Sequence, residues 1–367
     1  MKRILSIALA VLVSLSVLPV YAEAGAAQVS ERAGRLLAAL GIIDVSEIDL
    51  EAEVTRADMA EYAVKLLNLK PSTGGQKYYT DLSAEDIEKG YINLLTEIGY
   101  MTGYGRTFRP SQAITLNEAL KVVLSSCGYI ELAEGTGGFA SGYYKYADSL
   151  LKGIDHPGNS GITYAELCVM LYNALFMPVA KAESVGESTK YGIDKKWTVM
   201  NEYFNVFEDV GIVTATSKMS VNQSDIRLRD GNIIIDDLIY TDEADLAQQY
   251  LGYRVTYYYQ DDDSDSKPIL YMDAHKMCAA LTINLDDVTS DGKNLTYFDG
   301  KNEEKLDISN FAAGVYNNAP ENISEIYKKL QGANDGRLLL IDHENDGVYD
   351  VVFLEVMEFM WIKRVDV

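Results

Sequence analysis

Apolar residues recur at helical spacing through the first half of the chain and alternate with polar ones through much of the second. In the first half, three segments share one layout: an apolar helix, a Gly turn, a loop, then a β-branched residue and Thr opening a second helix. The first runs Leu36-Leu37-Ala38-Ala39-Leu40-Gly41, then Val54-Thr55-Arg56-Ala57-Asp58. The second runs Leu94-Leu95-Thr96-Glu97-Ile98-Gly99, then Ile114-Thr115-Leu116-Asn117-Glu118. The third runs Leu150-Leu151-Lys152-Gly153, then Ile162-Thr163-Tyr164-Ala165-Glu166. In each, Thr followed three residues later by an acid predicts a capping box (Thr55/Asp58, Thr115/Glu118, Thr163/Glu166). The hydroxyl takes an orphan amide and the carboxylate sits at the positive end of the helix dipole. The repeats span about residues 28–180, at roughly 28–70, 78–130 and 139–180.

Residues 181–196 are small, polar and without period, which predicts a linker. Beyond it, alternation predicts strands at 205–216 with a bulge or bend at Gly211, at 232–235 and 238–240 around an Asp236-Asp237 turn, at 253–259 and at 268–272. Residues 243–250 suit two helical turns. A second β unit follows, with strands at 281–285 and 295–298, a helix near 323–330, and a hairpin pairing 337–341 with 348–356. The expected fold is α+β and multidomain: a three-repeat helical bundle followed by a β-rich C-terminal region of small-barrel or sandwich type, divided into a domain at 197–275 and a second β-rich unit at 276–367. The chain ends at Trp361–Val367 in mid-strand by pattern, as a truncated product would.

The N-terminus changes the picture of where the protein works. Lys2-Arg3, the apolar run Ile4–Val17 and Val20-Tyr21-Ala22 read as an export signal over residues 1–22. The run is shorter than the roughly 20 residues that span a bilayer. The mature protein is therefore expected outside the cell, with no membrane helix of its own.

Of 367 residues, 32 are Lys or Arg and 55 are Asp or Glu, a formal charge of −23. Loss of Lys2 and Arg3 with the signal makes it −25. Such a surface repels nucleic-acid phosphate and anionic lipid, which excludes binding either through a broad basic face. Cys127, Cys168 and Cys278 are far apart, as are His156, His275 and His343, and no metal spacing can be written from them. No GxSxG, HExxH, GxGxxG or Walker loop occurs, so no enzymatic activity is expected.

The triple layout resembles the S-layer homology (SLH) domain. The middle copy carries most of the likeness: Tyr79-Thr80-Asp81 resembles the family's aromatic-x-Asp opening, and Gly103-Tyr104-Gly105-Arg106-Thr107-Phe108-Arg109-Pro110 its Gly-rich loop. The resemblance implies a pseudo-threefold bundle. It also implies partners: an anionic, pyruvylated secondary cell-wall polysaccharide linked to peptidoglycan, and other surface-layer proteins. The Arg of the helix-start motif is the family's anion contact, and here it survives as Arg56. The equivalent positions are Leu116 and Tyr164, read as unable to hold a carboxylate, and the third loop, His156–Ser160, is shortened.

Arg56 is either a solvated first-turn residue or, with Asp58, part of a glycan site at a helix N-terminus. Arg106 and Arg109 are further glycan candidates, unless their stems pack on neighbouring aromatics. His156 reads as turn chemistry. No cofactor is implied, though Asp342, Glu344 and Asp346 alternate before Gly347, with Asp350 beyond, and partly mimic a Ca²⁺ loop. Phe353 stands where an EF-hand needs Glu, so a solvated hairpin turn is the competing reading.

Overall fold

The computed structural model describes residues 29–73, 78–83, 88–184, 189–222, 228–262, 266–291, 294–298, 301–308 and 311–357. The export signal expected at 1–22, the end of the chain at 358–367 and part of the acidic stretch at 261–266 lie outside them. No helix among the described residues is long and apolar enough to cross a membrane.

The first half is helical: α1 (Glu31–Ala39), α2 (Arg56–Leu66), α3 (Lys89–Glu97), α4 (Leu116–Ser126), the short α5 (Ile130–Glu134) and α6 (Ser141–Tyr144), and α7 (Tyr164–Leu175). The capping boxes form at the three expected places: Thr55, Thr115 and Thr163 each accept from the N3 amide, and Asp58, Glu118 and Glu166 each accept from the cap amide. Gly41 and Gly99 take positive φ and end α1 and α3 without a Cβ clash; Gly153 does the same after a turn at 148–152, where the expected first helix of the third unit does not form.

The β-branched residue before each Thr closes a ring. Val54 N–H donates to Ile162 O (2.9 Å), Ile162 N–H to Ile114 O (3.3 Å), and Ile114 N–H to Val54 O (2.9 Å). All three side chains are fully buried, and each contributes on the order of 1.5–3 kcal/mol by leaving water. The next amides close a second ring that runs in the opposite sense. Arg56 and Ala57 donate to Gln112 and Pro110, Leu116 and Asn117 to Ser160 and Gly158, and Tyr164 and Ala165 to Ala52 and Leu50. The first two amides of each of these helices are thus satisfied by the loop of the next unit.

The described residues of the expected linker at 181–196 differ from expectation. Residues 181–184 and 190–196 belong to two paired antiparallel strands, β1 (Pro178–Ser184) and β2 (Lys190–Thr198), rather than to a linker. Ala180 N–H donates to Cys127 O and the Tyr129 hydroxyl to Pro178 O, so the strand pair folds back onto the helices. Gly128 permits this, since a Cβ there would stand 2.1 Å from Ala180 O. A fourth capping box, Thr198 with Asn201, starts α8 (Val199–Phe204).

Five strands then hydrogen-bond in a closed ring, in the order β3 (Val206–Thr216), β4 (Asn232–Ile235), β5 (Leu238–Thr241), β7 (Lys267–Ala274) and β6 (Arg254–Gln260). Asp236 and Asp237 both take positive φ in the two-residue β4–β5 turn, as its twist requires. The irregularity in β3 falls between Val213 and Ala215, not at Gly211, whose register with β6 is continuous. Gly211 is instead a point of close approach, where a Cβ would meet Ile235 and Asp236 at 2.6 Å. The predicted turns near 243–250 are a single 3₁₀ segment, Leu246–Tyr250.

The last part holds β8 (Ala279–Asn284), β9 (Val288–Ser290), β10 (Asn294–Phe298), β11 (Glu303–Asp307), β12 (Ala313–Tyr316), β13 (Ala319–Pro320), α9 (Ile323–Gly332), β14 (Gly336–Asp342) and β15 (Val351–Val356). Five of these strands form one sheet in the order β13-β12-β15-β14-β8, and β11-β10-β9 form another. The cores are continuous across these parts. Val206, Tyr258 and Tyr271 pack into the helical core, and Val315, Ile341 and Val351 pack with the interior of the strand ring.

Candidate functional site

The sequence candidates converge at the junction of the first and second helical units. Arg56 opens α2 and would be solvated on an isolated helix. Here the Gly103–Pro110 loop covers it, and it is only 2% exposed. Its Nε donates to Phe108 O (3.0 Å), its Nη2 to Thr102 O (2.8 Å) and its Nη1 to Glu118 Oε1 (3.0 Å). The guanidinium also lies 4.8 Å from the Phe108 ring centroid and 5.0 Å from that of Tyr104. Arg56 is therefore neither solvated nor open. It fastens α2 to the loop and to the start of α4.

The loop is shaped from beneath by Tyr79 and Asp81. The Tyr79 hydroxyl accepts from Gly103 N–H (2.8 Å), and a Cβ on Gly103 would stand 2.4 Å from the Tyr79 ring. The Asp81 carboxylate accepts from the amides of Phe108 (2.9 Å) and Arg109 (2.8 Å). Burial acts to raise its pKa, but those two amides and the Arg109 charge prevail and hold it below the ordinary carboxylate value.

Glu118 is the hub. One oxygen takes Arg56 and the Tyr104 hydroxyl (2.9 Å), and the other caps Thr115. Burial pushes its pKa up, and the hydrogen bonds from Thr115 and Tyr104 together with Arg56 more than offset that, leaving it lowered. The same bond and burial push the Tyr104 phenol up.

Above this buried network stand the exposed cations. Arg109 takes positive φ, and its guanidinium rests 4.2 Å from the Tyr104 ring centroid. Tyr104 is itself 44% exposed, and Arg106 is exposed on the same loop. Cationic and aromatic surface thus meet at this junction, supported by Glu118 and Asp81. Tyr104 and the hub role of Glu118 were not foreseen; the signal available was an aromatic between two glycines, two residues before Arg106.

The anion site expected at the α2 N-terminus is not open. Its first two amides hold neighbouring carbonyls, the third holds Thr55, and Asp58 caps Thr55 N–H (2.9 Å) and its hydroxyl (2.6 Å). The other junctions reuse the scheme with different chemistry. At the third helix start, burial first and then the nearby Asp58 carboxylate raise the Tyr164 phenol pKa. Opposite Leu116, His156 Nε2 lies 3.0 Å from Glu166 Oε1 without hydrogen-bonding geometry, and its Nδ1 meets Pro157 O within the turn, in keeping with turn chemistry.

The Ca²⁺ loop does not assemble. Buried Asp342 accepts amides from Glu344, Asn345 and Gly347, which makes it the internal cap of the hairpin turn. Asp350 accepts from His343 N–H, Asp346 from Val348 N–H, and Glu344 faces Arg254 at 3.5 Å. Among the described residues, no group of three or more His, Cys, Asp or Glu converges as a metal site.

Residues 78–120, from Tyr78 through the loop to the first turns of α4, match the family model of the S-layer homology domain. The chain is an SLH domain-containing protein. No curated protein matches it. The SLH match covers the unit that holds Asp81, the Arg106–Arg109 loop and the Thr115 cap. An SLH domain implies a cell-surface protein held there non-covalently, and domains of this kind generally bind cell-wall polysaccharides.

Proposed function

We propose that the protein is exported through its N-terminal signal and anchors non-covalently to an anionic, pyruvylated secondary cell-wall polysaccharide. In this reading all three helical units are SLH repeats arranged as a bundle, and the strand ring and following sheets are non-catalytic structural or interaction modules. The observation that carries the proposal is Arg109 lying exposed over Tyr104 at 4.2 Å. A guanidinium seated on an aromatic ring offers a planar donor set to a ketal carboxylate, while the ring stacks the adjoining sugar. Arg106 adds a second cation from the same loop, and Arg56 supports the site from below without reaching ligand. The strong negative charge of the chain does not forbid this, because screening confines its field to about 8 Å at physiological salt.

Co-sedimentation of residues 23–367 with purified walls tests the proposal. The unaltered protein should pellet, and the R106A/R109A variant should stay in solution. Failure of the unaltered protein to pellet, or equal retention of both, rejects it. The occupied donors of Arg56 favour one alternative, a surface-layer scaffold that contacts proteins and no glycan. Retention on immobilised surface-layer protein without retention on walls would support that reading. No reducing-sugar release from walls is expected.

A further inference from the structure

A second surface, on the strand ring, has the chemistry of a binding site and takes no part in the SLH junction. Trp197, the β2 residue before the Thr198 cap, is 40% exposed and meets Phe207 of β3 edge-on, with ring centroids 6.0 Å apart. Phe207 stands directly opposite Tyr259 of β6 in the strand register. Their rings are 5.8 Å apart and 28° from parallel, and both are half-buried. Behind them the buried Tyr240 and Tyr257, joined hydroxyl to hydroxyl at 3.0 Å, brace the Tyr259 ring at 5.6 and 5.9 Å.

The rim is polar and internally balanced. Lys267 Nζ sits 5.2 Å from the Tyr259 centroid and 3.0 Å from Asp261 Oδ2, so this cation and anion neutralise each other. Asp209, two residues beyond Phe207 on the same face of β3, is exposed. Burial first, and then Tyr240, Asp209 and Asp261, raise the Tyr259 phenol pKa against the opposing Lys267 charge.

We propose that this aromatic surface binds a neutral polysaccharide with equatorial hydroxyls. The C–H face of each pyranose would lie on Trp197, Phe207 and Tyr259. Its edge hydroxyls would donate to Asp209 and Asp261 and accept from Lys267. A polyanion is disfavoured by Asp209 beside an already compensated Lys267. A protein partner is disfavoured by area: three aromatic side chains present at most about 750 Å² even when fully exposed, and these three are partly buried. A stable protein interface needs about 800 Å² per partner.

The test is affinity electrophoresis of residues 23–367 through gels containing hydroxyethyl cellulose, xylan or a β-1,3-glucan, with polygalacturonate as the polyanion control. It is paired with tryptophan fluorescence in a W361F background, so that Trp197 alone reports. Retarded migration with at least one neutral polymer and a shifted Trp197 emission are expected. F207A, and W197A read by migration alone, should each weaken retardation at least tenfold while far-UV circular dichroism and the melting temperature are kept. The R106A/R109A variant should bind these polymers as before, which separates this site from wall anchoring. No retardation by any of the three polymers overturns the proposal. So does retardation by polygalacturonate alone, or unchanged binding by a folded W197A/F207A variant.

Discussion

Arg56 Nη1 lies 3.0 Å from Glu118 Oε1, and this contact joins the first residue of α2 to the capping acid of α4 across 62 positions of sequence. The pair is nearly shut from water on the arginine side, where the side chain is 3% exposed. Removing one partner strands the other. R56A and E118A should each lower the free energy of unfolding by about 3 kcal/mol, and the double variant should lose much less than the sum. R56K should not restore the loss, because an ammonium cannot reach Phe108 O, Thr102 O and Glu118 at once. Urea denaturation of the four proteins checks this.

Acid should loosen the same junction. Glu118 and Asp81 both have folded-state pKa values below their ordinary ones. Their contribution is therefore present above the unfolded values, near 4, and is lost as pH falls through the depressed folded ones. The urea midpoint should drop as pH falls from about 5 towards 3. The drop should be shallower in E118Q, which no longer titrates at that position.

The capping threonines predict a graded series. T55A, T115A and T163A should each cost about 1 kcal/mol, and the corresponding serine variants only a few tenths. Thermal melts followed by far-UV circular dichroism at one protein concentration would measure the order. Equal losses for alanine and serine would show that the γ-methyl rather than the hydroxyl matters.

Thiol chemistry should separate the cysteines. All three are free, with Cys127 and Cys168 buried and Cys278 partly exposed. Burial pushes the first two thiols up to about 12, so little thiolate is present at pH 8. Iodoacetamide at that pH should modify Cys278 in the native protein, and Cys127 and Cys168 only after denaturant is added. Peptide mass mapping reads the sites.

The helical half was legible because its signals are local. A β-branched residue, Thr and an acid three positions on announce Val54–Asp58, Ile114–Glu118 and Ile162–Glu166 within five residues each. The strands at 206–216, 232–235 and 254–260 were legible for the same reason, alternation over a short window. The strand pair within 178–198 was not, because its polar face carries Lys181, Glu183, Asp194 and Lys196, which read as loop. Only the tertiary contacts of Ala180 with Cys127 and of Tyr129 with Pro178 pin it down. The fate of Arg56 was hidden for a related reason. Its helix-start motif says where the side chain begins, while its burial depends on a loop some fifty residues away. Asp342 stayed open for another reason: alternating acids suit a cation and a hairpin turn equally, and only the hydrogen bonds show which backbone amides it caps.

The cyclic bonds among Val54, Ile114 and Ile162 also bear on evolution by duplication. An open solenoid can grow or shrink by one module at its end, whereas a closed triangle has no end at which to add. Excising one unit would leave a dangling donor and acceptor in a dry interior, and inserting a fourth would force the existing bonds apart. Change in this part of the protein is thereby channelled into individual side chains, as the Arg, Leu and Tyr at the three equivalent helix starts already display.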